Sequence, residues 1–373
     1  MQRQVSYVVS NELARTSSLL PSNPNRSAIV HSLAKASGLL DSVAHPNLRI
    51  LPPAPATRKD LCVYHDSEYV DALLADESAD DALFGLQDDC PRFNELPRYV
   101  ASTAGASLTA ARALLDGTAD VAIAWDGGRH HAQKARAAGF CYVNDCVLSI
   151  LALRKLGGGR VLYIDLDLHF ADAVAAAFPF SPAAKVLVLS LHHAGPGFYP
   201  AVPPGCSSTL PLLAGASAST FSRVWQEGIE PVYRAFAPDS VIVQCGADGL
   251  AQDPCAMWNW SIGGPGGMAD LVSRVLAWQI PTLLLGGGGY NSPNTARAWT
   301  YVTSVALGTP LDLELHIPDH VFFPLYAPSF TLDVPAGNAR DHNQQNDHID
   351  EINKGLCELA GSIAATRSAL SVV

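Results

Sequence analysis

Asp165, Asp167 and His169 occupy alternate positions in Asp165-Leu-Asp-Leu-His169. On an extended strand, residues i, i+2 and i+4 face the same way. Three polar side chains on one buried face are costly unless something compensates them, and a divalent cation does so. Asp248, in Gly246-Ala-Asp248, supplies a further carboxylate. Asp167, His169 and Asp248 then form a set of two carboxylates and one imidazole, which leaves a coordination position for water. The alternative is a strand end running into solvent with hydrated charges. The neighbours His130 and His131 gain a mechanism if Asp165 and Asp172 each accept one imidazole N–H. That fixes the tautomer and leaves the other ring nitrogen facing the water. Gly286-Gly-Gly-Gly-Tyr290 lacks the spacing and lysine of a phosphate loop. Its glycines let backbone pass close to a ligand or pocket floor. Tyr290 then either offers a phenol to a developing oxyanion or simply packs. Cys141 as a nucleophile, with His130 or His131 as base, leaves the carboxylates unexplained. His192-His193 reads as supporting rather than ligating. There is no GxSxG elbow, HExxH helix or Walker loop.

These residues need elements to position them. Short β-branched runs at 121–125, 161–164, 186–189, 241–243 and 282–285 predict strands. Helical periodicity lies at 143–155, 218–236, 268–279 and 294–306, and earlier at 27–40, 66–75 and 98–115, with Asp66 as an N-cap. Nearly continuous apolar strands separated by helices imply an α/β fold: a large central parallel sheet with helices on both faces. The polar clusters follow the strands, and in such sheets ligands bind beyond the carboxyl ends of the strands. Five distant segments should therefore meet in one crevice.

The 373 residues are 48% apolar and 16% charged, which excludes a disordered chain. With no linker or repeat, residues 1–373 read as a single domain. No apolar run approaches the ~20 residues of a membrane helix, and MQRQVSYVVS does not resemble a secretory signal; a soluble intracellular protein is expected. A net charge of −11 disfavours direct nucleic-acid binding and suits a basic partner. Eight scattered cysteines without a CxxC pair read as free thiols, with Cys90 and Cys141 a candidate redox pair because both flank site residues.

Trp125-Asp-Gly-Gly-Arg-His-His131, Gly139-Phe-Cys-Tyr-Val-Asn-Asp145, Asp165-Leu-Asp-Leu-His169, Gly246-Ala-Asp248 and Gly286-Gly-Gly-Gly-Tyr-Asn291 together resemble the class I zinc-dependent histone deacetylases, in the short form without a long C-terminal tail. The resemblance implies an arginase/deacetylase-like fold and hydrolysis of acetyl-lysine. It implies Asp167, His169 and Asp248 as ligands of zinc, with iron(II) the alternative. His131 matches the general base, paired with Asp172, and His130 its partner, paired with Asp165. Tyr290 matches the phenol that polarises the carbonyl. Asp89 matches the rim carboxylate that grips the substrate backbone. Gly139, Phe140, Tyr199 and Cys255 match the acyl-lysine tunnel, and Arg26, Cys141 and Gly288 an inner pocket. Asp165, Asp167, His169, Ser190 and Leu191 match a monovalent-cation site for potassium. The implied partner is an acetylated protein or peptide, with a monomer or a corepressor complex as the assembly and the nucleus or cytoplasm as the location.

Departures from the family are local. Phe170-Ala171 stands where His-Gly is usual, so a left-handed backbone at 171 would strain the alanine and misplace Asp172. Ala201-Val-Pro-Pro204 replaces Gly-Thr-Gly, Tyr199 replaces phenylalanine, and Arg129 stands where an apolar residue is common. Two other functions compete with the leading one: deacetylation of small amines such as acetylpolyamines, and a catalytically weakened corepressor scaffold.

Overall fold

The apolar runs pair side by side. Eight parallel strands form one sheet in the order β2-β1-β3-β8-β7-β4-β5-β6. They are β1 (Val5–Val8), β2 (Leu48–Leu51), β3 (Val121–Ala124), β4 (Val161–Asp165), β5 (Val186–His193), β6 (Thr209–Leu212), β7 (Ser240–Gln244) and β8 (Thr282–Leu285). The computed structural model describes residues 3–77, 81–157, 159–202, 209–344 and 347–370. Pro203, Pro204 and Cys206 lie outside the described residues.

Successive strand residues enter different cores, as the two-residue period of a strand requires. Leu162, Ile164, Val241, Val243 and Leu284 join one apolar cluster. Val161, Tyr163, Ile242, Leu283 and Leu285 join the other. The first core is closed by helices Arg26–Ala36, Met268–Ala277, Ser292–Ala306 and His348–Leu370. The second is closed by Leu96–Leu115 and Asp145–Gly157. A sheet buried on both faces explains why its central strands are apolar over most of their length, with polar residues at their ends.

The expected helices form with small shifts at their ends. The segment 218–236 is helical throughout but widens into a π-helical turn at Trp225–Ile229. Asp66 does precede helix Ser67–Leu74, but its side chain makes no capping bond; instead it pairs with Lys134 Nζ at 3.0 Å. β1, β2, β6 and the helix His348–Leu370 were not expected. No helix among the described residues is long and apolar enough to cross a membrane.

Strand order carries the main consequence. β3, β8, β7, β4 and β5 are consecutive neighbours, and they are the five strands followed by polar clusters. In register, Asp165 of β4 lies beside Gln244 of β7 and Ser190 of β5.

Candidate active site

Asp167, His169 and Asp248 each offer one ligand atom, and the three atoms lie within 4.8 Å of one another. Their loops are tied together by backbone bonds. Leu168 N donates to Asp248 Oδ1 (2.9 Å), and Gly288 N donates to Asp167 Oδ2 (2.8 Å). His169 Nδ1 sits 2.9 Å from Asp248 Oδ2 and 3.2 Å from Asp167 Oδ1. Burial and the Asp167 charge push Asp248 up to about 7. Two buried carboxylates so close need positive charge, and the donor set fits a divalent cation. Two glycines make room. A Cβ on Gly246 would lie 2.2 Å from Asp167 Oδ2, and one on Gly288 would lie 2.2 Å from Asp248 Oδ2.

His130 and His131 follow β3 and stand beside this cluster. His130 Nδ1 bonds Asp165 Oδ2 at 2.8 Å, and that oxygen also accepts from the Tyr163 hydroxyl at 2.6 Å. His131 Nδ1 bonds Asp172 Oδ1 at 2.7 Å, while Gln133 Nε2 donates to Asp172 Oδ2 at 2.8 Å. Burial opposes a charge on His130, yet Asp165 and Asp167 outweigh it and hold the ring at about 9. Burial and the adjacent His130 charge bring His131 down to about 4. The two rings are thus pushed in opposite directions, His130 toward the imidazolium and His131 toward the neutral imidazole.

Ala171 is not strained. It has φ −72° and ψ 59°, and Asp172 N donates to Phe170 O at 2.7 Å across it. This tight turn suits any L-residue, so the Ala171 substitution leaves Asp172 in place. Phe170 packs 4.9 Å from the His192 ring. His193 contacts Phe198 edge-on at 4.6 Å, and Phe198 stacks on His169 at 5.1 Å. His193 thus backs His169 through Phe198, and neither His192 nor His193 belongs to the metal-type cluster.

Aromatic rings surround the approach. Tyr199 meets His131 edge-on at 5.2 Å and is 45% exposed. Phe140, at φ 61°, meets Tyr290 edge-on at 5.7 Å. Asp89 Oδ2 accepts from Gly139 N at 2.7 Å, which ties the rim loop to the residue before Phe140. Cys255 is half-buried. Arg26 Nη1 donates to Gly289 O at 2.9 Å. Ser190 Oγ accepts from Ala171 N at 3.2 Å, and Leu191 is fully buried in β5. Cys90 and Cys141 are both free thiols. Burial pushes Cys141 up to about 12 and raises Cys90 as well, which disfavours the thiolates that a redox pair needs.

Three supporting residues escaped the sequence reading. Gln244 Nε2 donates to Asp167 Oδ2 at 2.8 Å and its Oε1 accepts from Gly246 N at 2.8 Å. Asp253 Oδ2 accepts from the backbone N–H groups of Tyr290 (2.7 Å) and Asn291 (3.1 Å). Gln133 holds Asp172. The signal for Gln244 was a polar residue closing an apolar strand; Asp253 and Gln133 carried none. A wider cleft around Arg3, Asp120 and Leu276 lies at the opposite ends of the strands, away from these groups.

A histone deacetylase domain matches residues 20–306. Histone deacetylase 8 of Danio rerio is 41% identical over 366 residues, covering 94% of this chain and 93% of its own length. Histone deacetylase 8 of Xenopus tropicalis is 39% identical over 349 residues, covering 89% and 91%. Histone deacetylase 2 of Oryza sativa subsp. japonica is 37% identical over 368 residues, covering 94% of this chain and 69% of its own length.

Proposed function

This chain belongs to the histone deacetylase family, and from that premise we propose that residues 1–373 act as one catalytic unit that hydrolyses the acetyl amide of N6-acetyl-lysine in histones or other proteins. The supporting observation is the convergence of Asp167, His169 and Asp248 within 4.8 Å beside a neutral imidazole and a phenol. A divalent cation held by those three residues, zinc or iron(II), supplies Lewis-acid polarisation of the acetyl carbonyl and lowers the pKa of a water. His131, neutral and oriented through Nδ1 by Asp172, takes the water proton at Nε2 and returns it to the leaving lysine amine. His130, held on Asp165 through Nδ1, is oriented beside the cluster as the partner of His131. The Tyr290 phenol, kept protonated by burial, donates to the developing oxyanion.

The remaining residues position substrate. An acetylated lysine is an uncharged rod with an amide at its tip, and Gly139, Phe140, Tyr199 and Cys255 line its path. Asp89 keeps one carboxylate oxygen for the substrate backbone while the other holds Gly139. Arg26, Cys141 and Gly288 border the space beyond the acetyl group. Asp165, Asp167, His169, Ser190 and Leu191 would hold a monovalent cation such as potassium. The net charge of −11 favours peptides rich in neighbouring lysines. The unstrained Ala171 argues against a scaffold without activity.

Metal analysis combined with acetyl-lysine peptide kinetics tests this function. Expected are one divalent ion per chain and turnover that collapses in His131→Ala. A loaded, folded protein that hydrolyses no acetyl-lysine peptide would overturn it. Equal losses on peptide and on acetylpolyamine in Asp89→Ala would redirect it to small amines.

A further inference from the structure

Two small cavities beside the catalytic groups share part of their lining. One is lined by His130, His131, Asp167 and Tyr290. The other lies deeper, against Arg26, His31, Asp126 and Trp299. Both are lined by Asn23 and Arg129, so Arg129 is part of the wall between them. Each leaves room for about one water-sized sphere.

Arg129 is fixed in place. Its backbone N–H donates to Asp145 Oδ1 at 2.8 Å, and its Nε and Nη2 each lie 3.3 Å from the Asp126 carbonyl oxygen. It is 5% exposed, and Arg26 is 2% exposed. The acid bordering the deeper cavity, Asp126, is occupied: its Oδ2 lies 2.9 Å from His31 Nε2, whose Nδ1 bonds the Tyr7 hydroxyl at 2.8 Å. Arg26 lies over the Trp299 ring at 5.0 Å, and burial with the nearby Arg129 charge lowers it to about 10. The floor beyond the acetyl position is thus two buried guanidiniums that hydrogen-bond to carbonyls rather than to carboxylates.

We propose that Arg129 is a specificity-determining residue that limits the acyl group to two carbons, because its buried guanidinium closes the catalytic cavity where a third and fourth carbon would go. The proposal rests on the deacylase function of the site. A longer apolar chain must displace or cover a buried cation, which is costly. A short carboxylate product instead gains charge-assisted hydrogen bonds there.

The test uses one peptide bearing acetyl-, propionyl- or butyryl-lysine, with the native chain, Arg129→Leu and Arg129→Met. Acetate and butyrate binding to the same proteins is measured by titration. The native chain should favour acetyl over butyryl by about tenfold or more in kcat/KM, the scale set by one or two methylenes in a confined pocket. Both variants should narrow that ratio about tenfold and should bind butyrate better relative to acetate. Native butyryl turnover equal to acetyl turnover would overturn the proposal, and so would an unchanged ratio in either folded variant. If no acyl peptide is hydrolysed, the deacylase function fails instead. The carboxylates then decide this proposal separately: equal native affinity for acetate and butyrate overturns it.

Discussion

His130 and His131 are neighbours in the chain, and each bonds a carboxylate through Nδ1, at 2.8 and 2.7 Å. Their carboxylates differ. Asp165 ends β4, is fully buried, and also takes the Tyr163 hydroxyl and Asp167 N. Asp172 begins the helix Asp172–Ala177, has a side chain 22% exposed, and takes Gln133. His130 also lies 3.8 Å from Asp167, and it sits at about 9. His131 is lowered to about 4 by burial and then by the charge of His130. Similar hydrogen bonds therefore accompany opposite shifts: the carboxylates outweigh burial at His130, whereas burial and the His130 charge outweigh them at His131. The cation serves as fixed charge and the neutral ring as a base.

Activity should separate the two rings most sharply. His131→Ala is expected to lower kcat roughly 10²–10⁴-fold, the range for a lost general base. His130→Ala should cost about 10–100-fold, as for a residue that tunes a metal site from outside. Steady-state kinetics check this, and a larger loss in His130→Ala would break the comparison. Stability should separate the carboxylates in the opposite sense. Asp165→Ala leaves a buried imidazolium and should cost about 3–5 kcal/mol in denaturant unfolding. Asp172→Ala, nearer solvent, should cost less than half of that while losing more activity.

The pH profile sharpens the comparison. His131 is active when neutral, so kcat/KM should hold as pH falls to well below 6.5. His130→Gln removes the charge that helps keep His131 low, so the acid limb should move to higher pH. An unmoved limb would mean that His130 is not the cation described. A third imidazole gives the smallest effect. Among the described residues His65 pairs with no carboxylate; it bonds Lys134 O at 3.2 Å and accepts from Asn144 N at 2.9 Å. Burial lowers it to about 4. The unfolded chain binds this proton near 6.5 and the folded chain does not. Its contribution to stability is therefore complete above about 6.5 and lost as pH falls toward 4, at about 1.4 kcal/mol per unit. The slope difference between the native chain and His65→Gln in denaturant titrations at pH 7 and pH 5 measures it.

The strands that carry the site were legible because they are central. Buried on both faces, β3, β4, β5, β7 and β8 read as apolar runs closed by polar residues. β2 and β6 are the sheet's two edges. The first is exposed at Arg49 and Ile50, and the second alternates half-buried and buried residues around Pro211. Four-residue edge strands of that kind lack the run that signals a strand. β1 is buried but includes Ser6 and spans only Val5–Val8. The helix His348–Leu370 was legible in principle, since Ile349, Asn353, Leu356, Ala360 and Ile363 are buried at helical spacing.

Residue types and their order determined that two carboxylates and a histidine would follow neighbouring strands, and that histidines, carboxylates and a tyrosine would surround them. Those are local facts of position; the two-residue strand period did not carry them, because β4 ends at Asp165 and Asp167–His169 lie in the bend that follows it. The chain alone did not decide which histidine carries a proton, that Gln133 and Asp253 brace Asp172 and Tyr290, or that Arg129 walls off the cavity. Each depends on charges or dipoles brought within a few ångströms by segments far apart in sequence, and electrostatic energy follows distance and burial rather than chain order.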